Sequence, residues 1–168
     1  MATEILTLDA LADRLPRFAR LIGLDLGTKT IGVAVSDVQR SIATPVETIR
    51  REKFTADVQK LATIAKAQEA FALVIGLPLN MDGTEGPRAQ ATRSFVRNLD
   101  AHLKLPVIYW DERLSTAAVT RTLIEQDASR AKRAEVVDRM AAAYILQGAL
   151  DRMQRILRDA QDTRDNLP

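Results

Sequence analysis

Cysteine is absent from the 168 residues, and histidine occurs once, as His102. Disulfide frameworks, Cys-ligated zinc, iron–sulfur clusters and thiol nucleophiles are therefore excluded. The lone histidine leaves little room for a zinc site and would make any Ser-His-Asp hydrolase depend on His102 alone; beside an apolar helix stripe it reads as structural. Long apolar runs are also lacking: the stretch from Phe71 to Leu77 falls far short of the about 18–20 residues a membrane span needs. Glu4, Asp9 and Asp13 interrupt the first 20 residues, which fits neither a secretory signal nor an acid-poor transit sequence. The expectation is a cytoplasmic protein with no membrane partner. Neither sign of charge dominates, with 24 Lys+Arg against 22 Asp+Glu and a net charge of +2, which permits a polyanionic partner without demanding one. What the chain does have is 46% apolar residues, enough for one domain with a sizeable core. Any chemistry must lean on carboxylates.

Periodicity divides the chain. Ile5, Leu6, Leu8, Leu11 and Leu15 recur at roughly helical spacing, predicting an amphipathic helix over 4–18 that forms an appendage of residues 1–20. From Leu21 the period shortens. Strands are expected at 21–26 and 31–36, joined by a turn at Gly27-Thr28-Lys29, with a third strand within 41–49. Helices are expected at 56–69, 87–103, 115–125 and 131–157, and strands at 72–77 and 107–110. Three consecutive strands followed by strands alternating with helices predict an α/β fold with a mixed five-stranded sheet: an antiparallel meander of three, then two parallel strands reached by crossovers, flanked by helices. The domain is placed at 21–158, and 159–168 reads as a polar tail.

Three groups of acids do not suit a purely structural reading. Asp25 interrupts the apolar run Leu21-Ile22-Gly23-Leu24-Asp25-Leu26, where an ionised carboxylate is costly unless paired or holding a metal. Gly23 and Gly27 share its face by the two-residue period and leave that face bare. Asp111-Glu112 follows the apolar Val107-Ile108-Tyr109-Trp110, at the carboxyl end of a strand where α/β sheets bind ligands. Alternation lets only one of the pair point where Asp25 points, and capping of the next turn is an equal role for Asp111. Asp138 shares its helical azimuth with Ala141, Ala142, Ile145 and Ala149, a face of small residues that would pack closely on a sheet. Converging carboxylates of this kind suit Mg²⁺ or Mn²⁺, one or two ions, and two-ion phosphodiester hydrolysis needs neither Cys nor His.

Positive charge for phosphates would come from the segment after the fourth strand. Pro78 to Pro87 holds two Gly and two Pro and leads into a helix with Pro87 at its start. Arg88, in the first turn on the azimuth of Phe95, Val96, Leu99 and Leu103, would point past the core toward the sheet edge and reach substrate. With Arg93, Arg97 and Lys104 it forms a basic stripe compatible with nucleic acid.

Together these residues resemble the YqgF family, also called RuvX. The likeness lies in Gly23-Leu24-Asp25-Leu26-Gly27-Thr28-Lys29 running on to Asp37, in Gly76-Leu77-Pro78-Leu79-Asn80-Met81-Asp82-Gly83-Thr84, in Asp111-Glu112-Arg113-Leu114-Ser115-Thr116, and in Val137-Asp138-Arg139 running on to Gln147. The resemblance implies an RNase H-like fold related to the RuvC Holliday junction resolvases. It also implies a cytoplasmic nuclease that matures the 5′ end of pre-16S ribosomal RNA, with ribosomal particles as further partners. It assigns Asp25, Glu112 and Asp138 as catalytic, metal-holding acids, choosing Glu112 over Asp111, and makes Lys29, Arg88 and Arg113 the expected substrate-binding residues. Thr30 departs from the Arg common at this point of the motif. The competing readings are a resolvase of four-way DNA, a non-catalytic RNA-binding or ribosome-assembly module, and a small ATP-binding domain of the actin and sugar-kinase type. The last would need a second glycine-rich phosphate turn and a second domain, for which 168 residues and 7 Gly leave no room.

Overall fold

The computed structural model describes residues 2–114 and 130–167, with the backbone alone for 130–136. The helix expected at 115–125 lies outside the described residues. In chain order the elements are α1 (Leu8–Arg14), β1 (Arg20–Leu26), β2 (Thr30–Ser36), β3 (Ala43–Arg50), α2 (Phe54–Ala67), β4 (Ala70–Leu77), α3 (Pro87–Arg97), β5 (Val107–Asp111) and the long helix α4 (Arg130–Asp165). Short 3-10 turns occupy Leu99–Ala101 and Glu112–Leu114.

The five strands form one sheet in the order β3-β2-β1-β4-β5. β1 pairs antiparallel with β2 and β2 with β3, whereas β4 runs parallel to both β1 and β5. This is the expected mixed sheet of three antiparallel and two parallel strands. Alternation along β1 explains its layers. Ile22 and Leu24 face one way, into a core with Val58 and Leu61 of α2 and Phe95, Val96 and Leu99 around α3. Leu21 faces the other way, into a core shared with Leu11 of α1 and Ala142, Ile145, Leu146 and Ala149 of α4. Sandwiched on both faces, β1 and β4 read as nearly continuous apolar runs, as buried strands do. Among the described residues no helix is long and apolar enough to cross a membrane.

Two end segments differ from expectation. The N-terminal helix is only Leu8–Arg14, capped by the Thr7 hydroxyl. Residues before it run extended along the outer edge of β5, where the Leu6 amide donates to the Val107 carbonyl at 2.9 Å and the Val107 amide to the Glu4 carbonyl at 2.8 Å. An exposed edge strand offers unpaired amides and carbonyls, and that pairing outweighs the helical spacing of Ile5 and Leu6. At the other end α4 runs on through Asp165, so that most of the segment read as a polar tail is exposed helix. Arg158, Ala160 and Gln161 are good helix formers, and Gln161 donates to Asp165 four residues on at 2.9 Å.

Candidate active site at the carboxyl edge of the sheet

The carboxyl ends of β1, β4 and β5 lie together because the three strands are parallel. Asp25 stands one residue from the end of β1, only 1% exposed, and faces α4. Its cross-strand partner on β2 is Gly32, and on its other side Gly76 follows Ile75, the parallel partner of Leu24. Both neighbours of the buried acid are therefore glycines, and each has a second acid above it.

Over Gly32 lies Asp138 of α4: a Cβ on Gly32 would fall inside van der Waals contact of the Asp138 carbonyl oxygen and of the Arg139 amide. Over Gly76 lies Glu112: a Cβ there would sit 2.5 Å from Glu112 Oε1 and 2.6 Å from Ile145 Cδ1. Gly23, two residues before Asp25, likewise meets α4, since its Cβ would stand 2.6 Å from Leu146 Cβ. Helix α4 approaches this closely because its facing residues Ala141, Ala142, Ile145 and Ala149 are small or apolar and fully covered. The bare face around Asp25 thus comes from Gly23, Gly32 and Gly76 on three strands. Gly27, which the two-residue period places on that face, instead sits in the β1–β2 turn, where its amide donates to the Thr30 carbonyl at 2.9 Å.

Asp138, half-buried, accepts a hydrogen bond from the Thr30 hydroxyl at the start of β2. Position 30, where the motif departs from its usual Arg, therefore serves the last acid directly. Nothing in the sequence alone could have paired residues 108 apart. Glu112 begins the 3-10 turn after β5 and is half-buried. Asp111 takes the capping role: its Oδ1 accepts from the Arg113 amide at 2.9 Å. The Arg113 guanidinium grips the same carboxylate at 2.7 Å, holds its pKa below the ordinary Asp range, and is itself pushed up by it. Arg113 also donates to the Met81 carbonyl at 3.2 Å and lies against Gly83, whose φ of +87° needs glycine. This arginine ties the loop 78–86 to the end of β5.

Lys29 is exposed in the β1–β2 turn. Arg88 is exposed on the first turn of α3 and lines a small notch with Gly27, Thr28 and Arg51 on the other face of the sheet edge. Arg93, by contrast, is taken up by Glu85 and the Tyr109 ring. His102 lies edge-on to Phe54 at 5.8 Å between ring centroids, a packing role.

Carboxylates are the donor chemistry that suits a hard, oxygen-seeking cation, and Asp25, Glu112 and Asp138 are the acids placed toward this edge. The glycines let α4 and Glu112 close in directly on the sheet beside Asp25. Among the described residues, however, no group of three acids or histidines is gathered into a ready-made metal cage.

A mixed five-stranded sheet covered by helices, with Asp25 near the end of β1, Glu112 just after β5 and Asp138 on the covering helix all placed toward its carboxyl edge, defines the class of α/β domains to which the chain belongs. Within that class the chain belongs to the RuvX family, whose model, described as Holliday junction resolvase, matches residues 19–152. A Methylocella silvestris protein named "Putative pre-16S rRNA nuclease" is 65% identical over 160 residues, covering 95% of this chain and 99% of its own. A protein of the same name from Rhodospirillum rubrum is 62% identical over 152 residues, covering 90% of this chain and 94% of its own. Among solved structures, T. thermophilus RuvC in complex with Holliday junction substrate is similar over 80% of this chain and 96% of its own, with a TM-score of 0.46 and 14% identity.

Proposed function

We propose that this chain is a metal-dependent endonuclease that hydrolyses phosphodiester bonds of RNA, acting in the cytoplasm on the 5′ end of pre-16S ribosomal RNA, free or within ribosomal particles. The observation that carries the reading is the grouping of Asp25, Glu112 and Asp138 around two glycines at the carboxyl edge of the sheet. The name shared by relatives at 62–65% identity supports the RNA substrate over the four-way DNA junction.

Asp25, Glu112 and Asp138 would hold Mg²⁺ or Mn²⁺, as one ion or two. When bound, the cation supplies Lewis acidity toward water and toward a phosphoryl oxygen. The chain's own residues set the geometry. Asp25 is fixed by a strand buried on both faces. Asp138 is oriented by the Thr30 hydroxyl, and its backbone is lodged against Gly32. Glu112 lies in the space that Gly76 leaves. Lys29, in the turn next to this face, adds positive charge toward the backbone phosphates.

The test is cleavage of a 5′-extended 16S precursor fragment and of a four-way DNA junction, with Mg²⁺ or Mn²⁺, by wild type and by Asp25→Asn, Glu112→Gln and Asp138→Asn. Several kcal/mol of transition-state stabilisation correspond to losses of about 100-fold or more in each variant. Cutting of the junction but not the precursor would move the substrate to DNA. Wild-type rates in all three variants would remove these acids from the chemistry, and a wild type that cuts neither substrate would leave a binding or assembly module.

A further inference from the structure

Besides the carboxylate face, the carboxyl edge carries a second feature on the opposite side of the sheet. Leu26 follows Asp25 and by alternation points the other way, into a notch of about 70 Å³ that it lines with Gly27, Thr28, Arg51, Arg88 and Phe95. Three separate segments build it: the β1–β2 turn, the residue just after β3, and the face of α3 that carries Arg88, Thr92 and Phe95. Two arginines and no acid line it. The two other described cavities differ, since one includes Asp9, Asp111 and Asp151 and the other Glu4 and Asp100.

Arg51 is held in place rather than swinging freely. Its Nη1 donates to the Gly27 carbonyl at 2.7 Å, its backbone amide donates to the Lys29 carbonyl at 2.9 Å, and its guanidinium lies 5.8 Å from the Phe95 ring centroid. One nitrogen is used and other donors remain. The Arg88 carbonyl accepts from the Thr92 hydroxyl at 3.1 Å, while its guanidinium makes no hydrogen bond or ion pair with any described residue. An anchored guanidinium facing a guanidinium with no described partner, over a turn with the Thr28 hydroxyl, suits a small tetrahedral anion. The notch is too small for a nucleoside, and its lack of acids disfavours a cation.

We propose that Arg51 and Arg88 jointly bind one phosphodiester of the nucleic-acid strand, away from the cleaved bond and across the β1–β2 turn from Asp25. The strand then bends over the turn Gly27–Lys29, gripped on one side and cut on the other. This rests on the nuclease reading for the identity of the strand, and it adds Arg51, which no motif in the sequence marks.

The experiment measures binding of a fluorescein-labelled single-stranded oligoribonucleotide, and in parallel a labelled four-way DNA junction, across a salt titration. The proteins are wild type, Arg51→Gln, Arg88→Gln, the double variant, Arg51→Lys, and Arg164→Gln on the exposed end of α4 as a remote control, each checked by thermal melting. Loss of one phosphate contact lowers the slope of log K against log salt by about 0.7 for a single strand, and loss of charge-assisted hydrogen bonds weakens binding about 10-fold. Because both arginines serve one phosphate, each single variant should lose that slope and the double should lose no more. Arg51→Lys, folded and still cationic, should recover part of the affinity, while Arg164→Gln stays at the wild-type slope. In cleavage, KM should rise with little change in kcat. A folded double variant with wild-type slope and affinity overturns the proposal. Wild type that binds RNA but never cuts it overturns the nuclease reading and leaves the notch to be decided by the slopes. Failure of wild type to bind either probe overturns both.

Discussion

Gly32 and Gly76 flank Asp25 on neighbouring strands, and they tolerate substitution differently because of what lies above them. A Cβ on Gly32 meets the backbone of Asp138, which a long packed helix cannot yield, so Gly32→Ala should cost about 1–3 kcal/mol and lower Tm by several degrees. A Cβ on Gly76 meets chiefly side-chain ends, Glu112 Oε1 and Ile145 Cδ1, which can shift. Gly76→Ala should therefore melt closer to wild type while losing most of its cleavage activity, because the displaced group is Glu112. Calorimetry and a cleavage assay on both variants check the contrast; the reverse pattern would remove Glu112 from the site. Asp25 and Asp138 stood out in the sequence because each breaks an apolar pattern within its own element, and the structure places Asp25 toward α4 and Asp138 on it. Gly23 was readable from the two-residue period, but Gly32 and Gly76, and the Thr30 hydroxyl that holds Asp138, were not, because they become neighbours only through strand register and helix docking. The choice of Glu112 over Asp111 rested on family likeness; in the structure Asp111 is engaged by the Arg113 amide and guanidinium.

At the scale of elements, α4 must be held on the sheet for Asp138 to stay in place. Gln147 does part of this, since its Oε1 accepts from the Ala43 amide at 2.9 Å and its Nε2 donates to the Ser41 carbonyl at 2.9 Å, at the start of edge strand β3. Gln147→Leu leaves both backbone groups without these partners and should destabilise by about 2 kcal/mol, seen as a lower urea midpoint. The loop 78–86 is held by the Asp111–Arg113 pair instead. The pKa of Asp111 is depressed in the folded state, chiefly by its hydrogen bond from Arg113. Its contribution is therefore full above the ordinary Asp range of about 4 and is lost as pH falls through its lower folded value. Wild type should exceed Asp111→Asn in stability at pH 7, and the gap should close on acidification below pH about 4. A gap independent of pH would mean that charge plays no part. The strands and their mixed directions were readable from period and order. The N-terminal segment was not, because the apolar spacing of Ile5 to Leu15 suits a helix, and only the open edge of β5 decides that its first residues pair as strand.

For the whole molecule, a chain with 24 basic and 22 acidic residues looks electrically neutral in total, yet the charges are sorted in space. Three acids collect on the α4 side of the sheet edge, and Arg51 and Arg88 on the α3 side, with the β1–β2 turn between them. On the proposed reading that sorting, more than the net charge of +2, is what would suit the carboxyl edge to a phosphodiester strand. The central claim is that Asp25, Glu112 and Asp138 act as one unit, and groups that act as a unit are strongly non-additive when removed. The most direct measurement is the single-turnover cleavage rate of a 5′-extended 16S precursor fragment by wild type, by each single amide variant and by the triple variant. The account predicts that each single substitution costs about as much as all three. A single variant cleaving at the wild-type rate, or losses that simply multiply, would contradict it.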